Sequence, residues 1–218
     1  MDYIKKILKY NLKLTDAVSY IYINCHIFLS GLAGTFLFRL KSSIFGISAG
    51  KRVKCFGQVF LIRYPGSLIS IGNNTSIISS SFRCTMSSLF SPTRLRTLSR
   101  SARIIIADNV GLNGTSILAR SCCVSIGEGT MIGPNVTIMD SDGHAIWPPE
   151  NRSHNPGMEN DRDVTIGKNV WIGTQSLILK GVTVGDNSVI AAGSVVTKDI
   201  PSNTLAGGVP ARVIRNLA

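Results

Sequence analysis

One stretch of the sequence, residues 164–200, repeats an aliphatic residue at every sixth position. The repeated residues are Ile166, Ile172, Ile178, Val184, Ile190 and Val196. A strand repeats every two residues and a helix about every 3.6, so neither element alone explains this period. A period of six indicates short strands joined by sharp corners of fixed length. Such repeats are typical of a solenoid, in which each unit buries its apolar face against its neighbours.

The corners of this solenoid are predicted three residues after each repeated aliphatic residue. Those positions hold Asn169, Gln175, Gly181, Asn187, Gly193 and Asp199. Gly and Asn adopt left-handed backbone conformations at the lowest cost, so four of the six positions suit a tight corner. Two residues before each aliphatic residue the sequence has Val or Ser, which are small or β-branched enough to stack inside a narrow coil.

Earlier parts of the chain carry the same signature with interruptions. The first unit is Ile71-Gly72-Asn73-Asn74, and regular units resume at Ile104. Residues 79–102 between them are interpreted as a loop, with the arginine cluster Arg94–Arg103 on or beside it. Its arginines could bind phosphate groups through bidentate hydrogen bonds, and an exposed basic loop explains the cluster equally well.

Two later irregularities bear on function. The unit that begins at Leu118 is stretched by two residues, which predicts a longer corner. Residues 140–163 form a second insertion, rich in Pro, Gly, Asn and charge. A polar loop inserted into a solenoid usually lies on one face, often the binding face.

We therefore divide the chain into three parts. Residues 1–50 are predicted to be a basic, apolar N-terminal helical segment, with an amphipathic helix over residues 1–15. Residues 51–203 are the solenoid, with loop insertions at 79–102 and 140–163. Residues 204–218 are a C-terminal cap, in which VPARVIRNLA is expected to form a short basic helix.

The charge of the chain is strongly asymmetric. Its net charge is +11, and residues 17–107 contain 11 Lys or Arg but no Asp or Glu. This predicts an anionic neighbour: a membrane surface, nucleic acid or phosphorylated substrates. Residues 17–38 carry no charge and are long enough to span a bilayer. Their polar residues and glycines favour an interfacial or packed helix, and a true span stays open as the second interpretation.

The five cysteines and three histidines limit the chemistry. The cysteines are odd in number and lack the CxxC spacing of a metal site, which indicates reduced thiols in the cytosol. The histidines are His26, His144 and His154, and none lies on a regular coil unit. A zinc enzyme built on the repeats, like the β-helical carbonic anhydrases, is therefore disfavoured because it needs three histidine ligands.

Four runs of sequence carry a family resemblance: NVTIMDSDGH, VTIGKNVWIG, GVTVGDNSVIAAGSVVTKDIP and AGGVPARVIR. They resemble the hexapeptide-repeat acyltransferases, in the sugar acetyltransferase branch with galactoside, nodulation-type and polysaccharide-locus enzymes. The resemblance covers about residues 67–216. It implies an all-β fold, a left-handed parallel β-helix of triangular section with three hexapeptides per coil. It also implies acetyl-CoA as co-substrate without a metal, and a homotrimer with active sites between subunits.

The resemblance further implies roles for individual residues. His144 matches the general base, and imidazole has the near-neutral pKa that such a base needs. Asn113 falls where the family places an Asn that contacts the acceptor or the acetyl group; without the family it reads as a turn residue. The residues that match coenzyme A positions are Trp171, Thr174, Ala192, Thr197, Lys198, Arg212 and Arg215.

Two departures from the family point to the acceptor. No carboxylate stands near Ser121, where galactoside enzymes carry an acidic acceptor contact, and the apolar, basic N-terminal third differs from their short cap. We expect O-acetylation of a nucleotide-linked or lipid-linked saccharide, as in O-antigen, lipopolysaccharide or capsule assembly. The protein is then cytoplasmic, with peripheral contact to the inner membrane through its N-terminal segment and no nucleic-acid partner. The alternatives are an N-acetyltransferase of a nucleotide-linked aminosugar and a non-catalytic membrane scaffold.

Overall fold

The computed structural model describes residues 13–218. The amphipathic helix predicted for residues 1–15 therefore lies outside the described residues except for its last three positions. Within residues 13–218, three sheets form the faces of a triangular β-helix, and each coil of the helix contributes one strand to each face. Face A consists of β1 (Ser48–Ala49), β4 (Leu68–Ile71), β7 (Arg103–Ile106), β10 (Cys123–Ile126), β13 (Val164–Ile166) and β16 (Thr183–Val184).

The other two faces follow the same order along the helix axis. Face B consists of β2 (Lys54–Phe56), β5 (Ser76–Ile78), β8 (Gly111–Asn113), β11 (Met131–Ile132), β14 (Trp171–Ile172), β17 (Val189–Ile190), β19 (Thr204–Gly208) and β20 (Ala211–Asn216). Face C consists of β3 (Phe60–Ile62), β6 (Arg94–Thr97), β9 (Ser116–Ala119), β12 (Thr137–Met139), β15 (Leu177–Ile178) and β18 (Val195–Val196). The six hexapeptides of residues 164–200 thus form two full coils, as the family resemblance implied.

The corners have the predicted left-handed backbone at five of the six positions. Asn169, Gln175 and Asn187 have φ of 53°, 59° and 58°, and Gly181 and Gly193 also have positive φ. The exception is Asp199, whose carboxylate accepts the backbone N–H of Thr183 at 2.7 Å instead.

Side-chain amides stack from coil to coil along one corner. The amide of Asn169 donates to that of Asn187 at 3.2 Å, and Asn187 donates to Asn203 at 3.0 Å. The corner residues therefore stabilise the fold through both their backbone conformation and their side chains.

Helix α1 (Leu14–Ile44) precedes the first coil. Its C-terminal half lies on β2, and a Cβ atom at Gly34 would come within 2.5 Å of the carbonyl oxygen of Cys55, so only glycine permits this close approach. Thr35 accepts the backbone N–H of Cys55 at 3.0 Å, and Phe38 is buried against the coil. This half of α1 is therefore packed on the solenoid.

The N-terminal half of α1 is apolar and exposed on several sides. Leu14 is 81% exposed, and Val18, Ile21 and Leu29 are also exposed. The helix is long and apolar enough to cross a membrane by length and composition. Because Gly34 and Phe38 pack on the first coil, the 22-residue uncharged run is not free along its whole length.

The prediction of a short C-terminal helix for VPARVIRNLA is wrong. Residues 211–216 form β20, which pairs antiparallel with β19, and β19 continues face B beside β17. A short helix is costly to nucleate, whereas the open edge of face B offers backbone hydrogen bonds at once. The β-branched pair Val213 and Ile214 also favours a strand.

The structure also differs from the predicted boundaries of the solenoid. Its first strand is β1, which begins before residue 51, and residues 94–97 of the predicted loop form β6 on face C. Leu95 and Thr97 are buried in β6, while Arg94 and Arg96 alternate with them and are partly exposed. The arginines are therefore borne by a strand, and the irregular segment of this insertion is residues 79–93.

Candidate functional site

The insertion that follows β12 is held to the solenoid at its first residue. The buried carboxylate of Asp140 accepts the backbone N–H groups of Arg120, Ser121 and Cys122 at 2.7, 3.0 and 2.9 Å. These three residues form the stretched corner between β9 and β10 that the sequence predicted. The extra length of that corner thus provides three converging donors for one carboxylate.

The end of the insertion is held by a buried ion pair. The guanidinium of Arg120 donates from Nε to Asp161 Oδ2 at 2.9 Å and from Nη2 to the other carboxylate oxygen. It also donates to the carbonyl oxygens of Pro156 and Gly157. Hydrogen bonding to Asp161 raises the pKa of Arg120 above its ordinary value. Arg120 is therefore the point at which both ends of the loop meet the scaffold.

His144 lies between these two anchors, on the exposed side of the loop. Its Nδ1 is 2.9 Å from the carbonyl oxygen of Arg152, which accepts a hydrogen bond and cannot donate one. Nδ1 therefore carries the proton in the neutral ring, and Nε2 is left with its lone pair. This is the tautomer that a general base requires. His154, on the same loop, is also exposed, and its backbone N–H donates to Asn151 at 3.1 Å.

A separate groove of about 290 Å³ lies on face B. Trp171 of β14, which is 47% exposed, lines it together with Thr174, Ala192 and Leu205. Met86, from the irregular segment 79–93, also lines it. The structure therefore brings together Trp171, Thr174 and Ala192, three of the residues that the resemblance assigns to coenzyme A.

The remaining residues assigned to coenzyme A are divided between two places. Arg212 and Arg215 lie on β20 and so extend the sheet that bears the groove. Thr197 and Lys198 follow β18 at a corner between faces C and A, away from the groove in the same chain. His144 belongs to the insertion between the same two faces. A single chain therefore does not bring His144 and the groove together.

Asn113 ends β8 on face B and its side chain is already engaged. Its amide donates to the carbonyl oxygen of Ile132 at 2.8 Å. Segment 79–93 covers this corner, because Asn135 accepts the backbone N–H of Phe90 at 2.8 Å and donates to the carbonyl oxygen of Ser88 at 3.0 Å. The structure thus places Asn113 at the end of a strand rather than in a turn, and its contact with an acceptor stays a prediction.

The sequence analysis missed the three residues that anchor the insertion: Arg120, Asp140 and Asp161. A signal for them existed, because acidic residues stand near both ends of the insertion and the stretched corner precedes it. It also missed the role of segment 79–93 in lining the groove. Among residues 13–218, no three His, Cys, Asp or Glu side chains are grouped as a metal site.

Comparison with known proteins identifies the class of the repeat region. The sequence model of the bacterial transferase hexapeptide family (six repeats) matches residues 163–198. The galactoside O-acetyltransferase of Escherichia coli K12 is 45% identical over 116 residues, 53% of this chain and 55% of that protein. The chain thus spans about half the length of the curated relatives it matches.

Solved structures give the same result for the fold. A galactoside acetyltransferase in complex with coenzyme A has a TM-score of 0.50 and 31% identity, over 78% of this chain and 65% of the other. An N-acyltransferase from Bacillus cereus, in complex with dTDP-4-amino-4,6-dideoxyglucose and coenzyme A, has a TM-score of 0.60 and 20% identity. That match covers 83% of this chain and 89% of the other.

Residues 163–198 therefore carry the bacterial transferase hexapeptide repeat, and the predicted left-handed β-helix is confirmed. The resemblance to the sugar O-acetyltransferases of this family is confirmed as well.

The anchor at Arg120 leads to the first prediction. Asp161→Asn leaves the guanidinium buried without its counter-charge, which should lower the free energy of unfolding by about 3 kcal/mol, measured by urea denaturation. Glu159→Gln is the matched control, because Glu159 is exposed on the same loop and should change stability by less than about 0.5 kcal/mol. Equal stability of the two variants would contradict the proposed role of the ion pair.

Proposed function

We propose that this protein is an acetyltransferase that uses acetyl-CoA to modify a sugar of a cell-envelope polysaccharide precursor, with His144 as the general base. The observation that supports this most directly is the state of His144, whose Nδ1–H is held by the carbonyl oxygen of Arg152 while Nε2 is free. The loop that bears it is fixed at both ends, so the ring has a defined position without being buried. Such a base suits proton transfer near neutral pH.

The reaction is direct acyl transfer. Nε2 of His144 takes the proton of an acceptor hydroxyl as its oxygen attacks the thioester carbonyl carbon. The resulting tetrahedral oxyanion collapses, the carbon–sulfur bond breaks, and the proton passes to the leaving thiolate. Backbone N–H groups beside the groove are the expected donors to the oxyanion. O-transfer is proposed over N-transfer because relatives over 40% identical to this chain are named galactoside O-acetyltransferases.

We place the active site between subunits of a homotrimer. His144 is borne between faces C and A, whereas Trp171, Thr174 and Ala192 lie on face B. A closed ring of identical subunits places one patch of each chain against a different patch of the next. The loop of one subunit is then able to reach the groove of its neighbour. Thr197 and Lys198 share the corner type of the insertion and would reach the coenzyme phosphates from that same neighbouring subunit.

We place the protein on the cytoplasmic face of the inner membrane, with the exposed half of α1 as its contact. Leu14, Val18 and Ile21 expose an apolar surface, and residues 17–107 contain Lys and Arg without any acidic residue. Apolar insertion and attraction to anionic lipids reinforce each other. An acceptor made at the membrane fits this location.

The expectation that no carboxylate stands near Ser121 is wrong, because Asp140 and Asp161 both accept hydrogen bonds from Ser121. Both carboxylates also hold the corner at Arg120, so they serve the scaffold rather than a galactoside acceptor.

His144→Ala should reduce kcat for acetyl transfer by about 10²- to 10⁴-fold, because the general base is lost. The KM for acetyl-CoA should stay near that of the wild type, since His144 is not part of the groove. His154→Ala is the matched control on the same loop and should retain kcat. The measurement is release of free coenzyme A thiol with a saccharide acceptor, and equal loss in both variants would refute the assignment.

Mixed trimers test the site between subunits. Ala192→Trp should inactivate the protein by filling the groove, and His144→Ala by removing the base. When the two inactive variants are co-refolded in equal amounts, about a quarter of the sites should combine an intact His144 with an intact groove from the neighbour. Activity should return to about that fraction of the wild type. No recovery from mixed trimers that have formed would place the whole site in one chain.

Replacing Leu14, Val18 and Ile21 together by Gln should release the protein from vesicles that contain phosphatidylglycerol, because the apolar contact surface is removed. Thr15→Gln with Ser19→Gln is the control on the same helix and should leave binding unchanged. Co-sedimentation with vesicles measures both. Undiminished binding of the triple variant would contradict the membrane contact through α1.

A further inference from the structure

Face B carries a second groove at its other end, on the first two coils. Its apolar half, about 700 Å³, lies between α1 and β2 and is lined by Ile27, Phe28, Leu32, Phe36 and Phe56. Its basic half, about 380 Å³, is lined by Arg52, Lys54 and Arg83 with the polar residues Asn74, Thr75 and Ser76. Lys54 and Phe56 line both halves, so the two halves adjoin at these residues, and together they are here named the bipartite groove.

The three cations of the basic half have no acidic partner. None of the residues that line either half is Asp or Glu. The two ion pairs among residues 13–218 are elsewhere, between Arg120 and Asp161 and between Lys180 and Asp142. Three positive charges gathered in one pocket repel each other, so an anionic ligand would stabilise this arrangement.

Arg83 is held in a defined position in the basic half of the groove. Its guanidinium carbon lies 5.0 Å from the centroid of the Phe56 ring, so the group is held in place over the aromatic face. Its Nε is buried and has no hydrogen-bond acceptor within the described part of the chain. A buried donor left without an acceptor destabilises this arrangement of the side chain. Arg52 is also positioned, because its Nε donates to Asn74 Oδ1 at 2.6 Å.

We propose that the bipartite groove binds the lipid-linked phosphate or pyrophosphate end of the acceptor. The hydrocarbon chain lies in the apolar half along α1, and the phosphate groups are bound by Arg52, Lys54 and Arg83. A ligand in which an apolar chain is joined to a phosphate complements the apolar half and the basic half at the same time. This proposal rests on the acetyltransferase function proposed above and selects the lipid-linked acceptor over the nucleotide-linked one.

The position of the bipartite groove suits this role. Strand β2 lines the bipartite groove and β14 bears Trp171, and both belong to face B. They are four strand spacings apart, a distance of about 19 Å across the sheet. Asn113 on β8 lies between them on the same face. Segment 79–93 joins the two sites, because it contributes Arg83 to one and Met86 to the other. A saccharide anchored through its phosphate would therefore lie along face B with a sugar near the acetyl group.

Binding of farnesyl diphosphate to the full chain in detergent, without an acetyl donor, tests the proposal by calorimetry. Arg83→Ala and Lys54→Ala should each weaken binding by about 10-fold, as expected when a charged hydrogen bond is lost. Leu32→Ser should weaken it through the apolar half. Arg103→Ala removes the same charge from face A and should change the Kd by less than about two-fold. Farnesol and inorganic pyrophosphate, which each match one half, should bind at least about 10-fold more weakly than farnesyl diphosphate.

Three results would overturn the proposal. The first is equal affinity of the wild type and both cation variants for farnesyl diphosphate, and the second is an affinity of the wild type for uridine diphosphate equal to that for farnesyl diphosphate. The third is binding that disappears in the Leu14, Val18 and Ile21 variant but not in Arg83→Ala. The last two would indicate a nucleotide site and general membrane attachment, respectively. The outcome is separable from the proposed enzymatic function. His144→Ala should bind farnesyl diphosphate like the wild type. If the wild type binds farnesyl diphosphate but transfers no acetyl group to any acceptor, the proposed enzymatic function is rejected, whereas the proposed binding of a lipid-linked phosphate in the groove is retained.

Discussion

The register between successive coils is the constraint on which the rest of the structure depends. The backbone N–H of Gly127 donates to Ile166, that of Gly167 to Val184, and that of Gly185 to Ile200, each at 2.8 Å. This ladder keeps the aliphatic side chains of successive coils stacked inside the prism. A shift of one residue would turn every inward side chain outward. Each corner must therefore use a constant number of residues, and left-handed Asn and Gly residues make that tight corner possible.

An insertion is compatible with this register only when its two ends are returned to the positions that a normal corner would occupy. Asp140 and Asp161 fulfil that condition, because both are bound at the corner that begins with Arg120. The closure cost of a long loop rises only slowly with its length, so two strong anchors are sufficient to hold it. The position of His144 thus depends on a structural ion pair rather than on the repeat itself.

Local patterns in the sequence predicted the parts of the fold that are determined locally. The two coils over residues 164–200 followed from aliphatic spacing and corner residues because each unit contacts only its neighbours. β6 was missed because Arg94 and Arg96 obscure the buried alternation of Leu95 and Thr97. The C-terminal strand was missed because its partner, the open edge of face B, appears only in three dimensions. Arg120 and Asp161 are 41 positions apart, so no periodic pattern connects them.

The same geometry explains why the sequence reveals the parts of the site but not their assembly. The left-handed corners place residues of successive coils in lines along the prism, so groups on one face are aligned and groups on different corners stay apart. Trp171, Asn113 and Lys54 share face B at different heights, whereas the loop that bears His144 leaves from another corner. A rigid prism cannot bend to join them, which is why the site is proposed to lie between two copies of the chain. The proposed catalysis would therefore depend on the symmetry of the proposed trimer as much as on the chemistry of its residues.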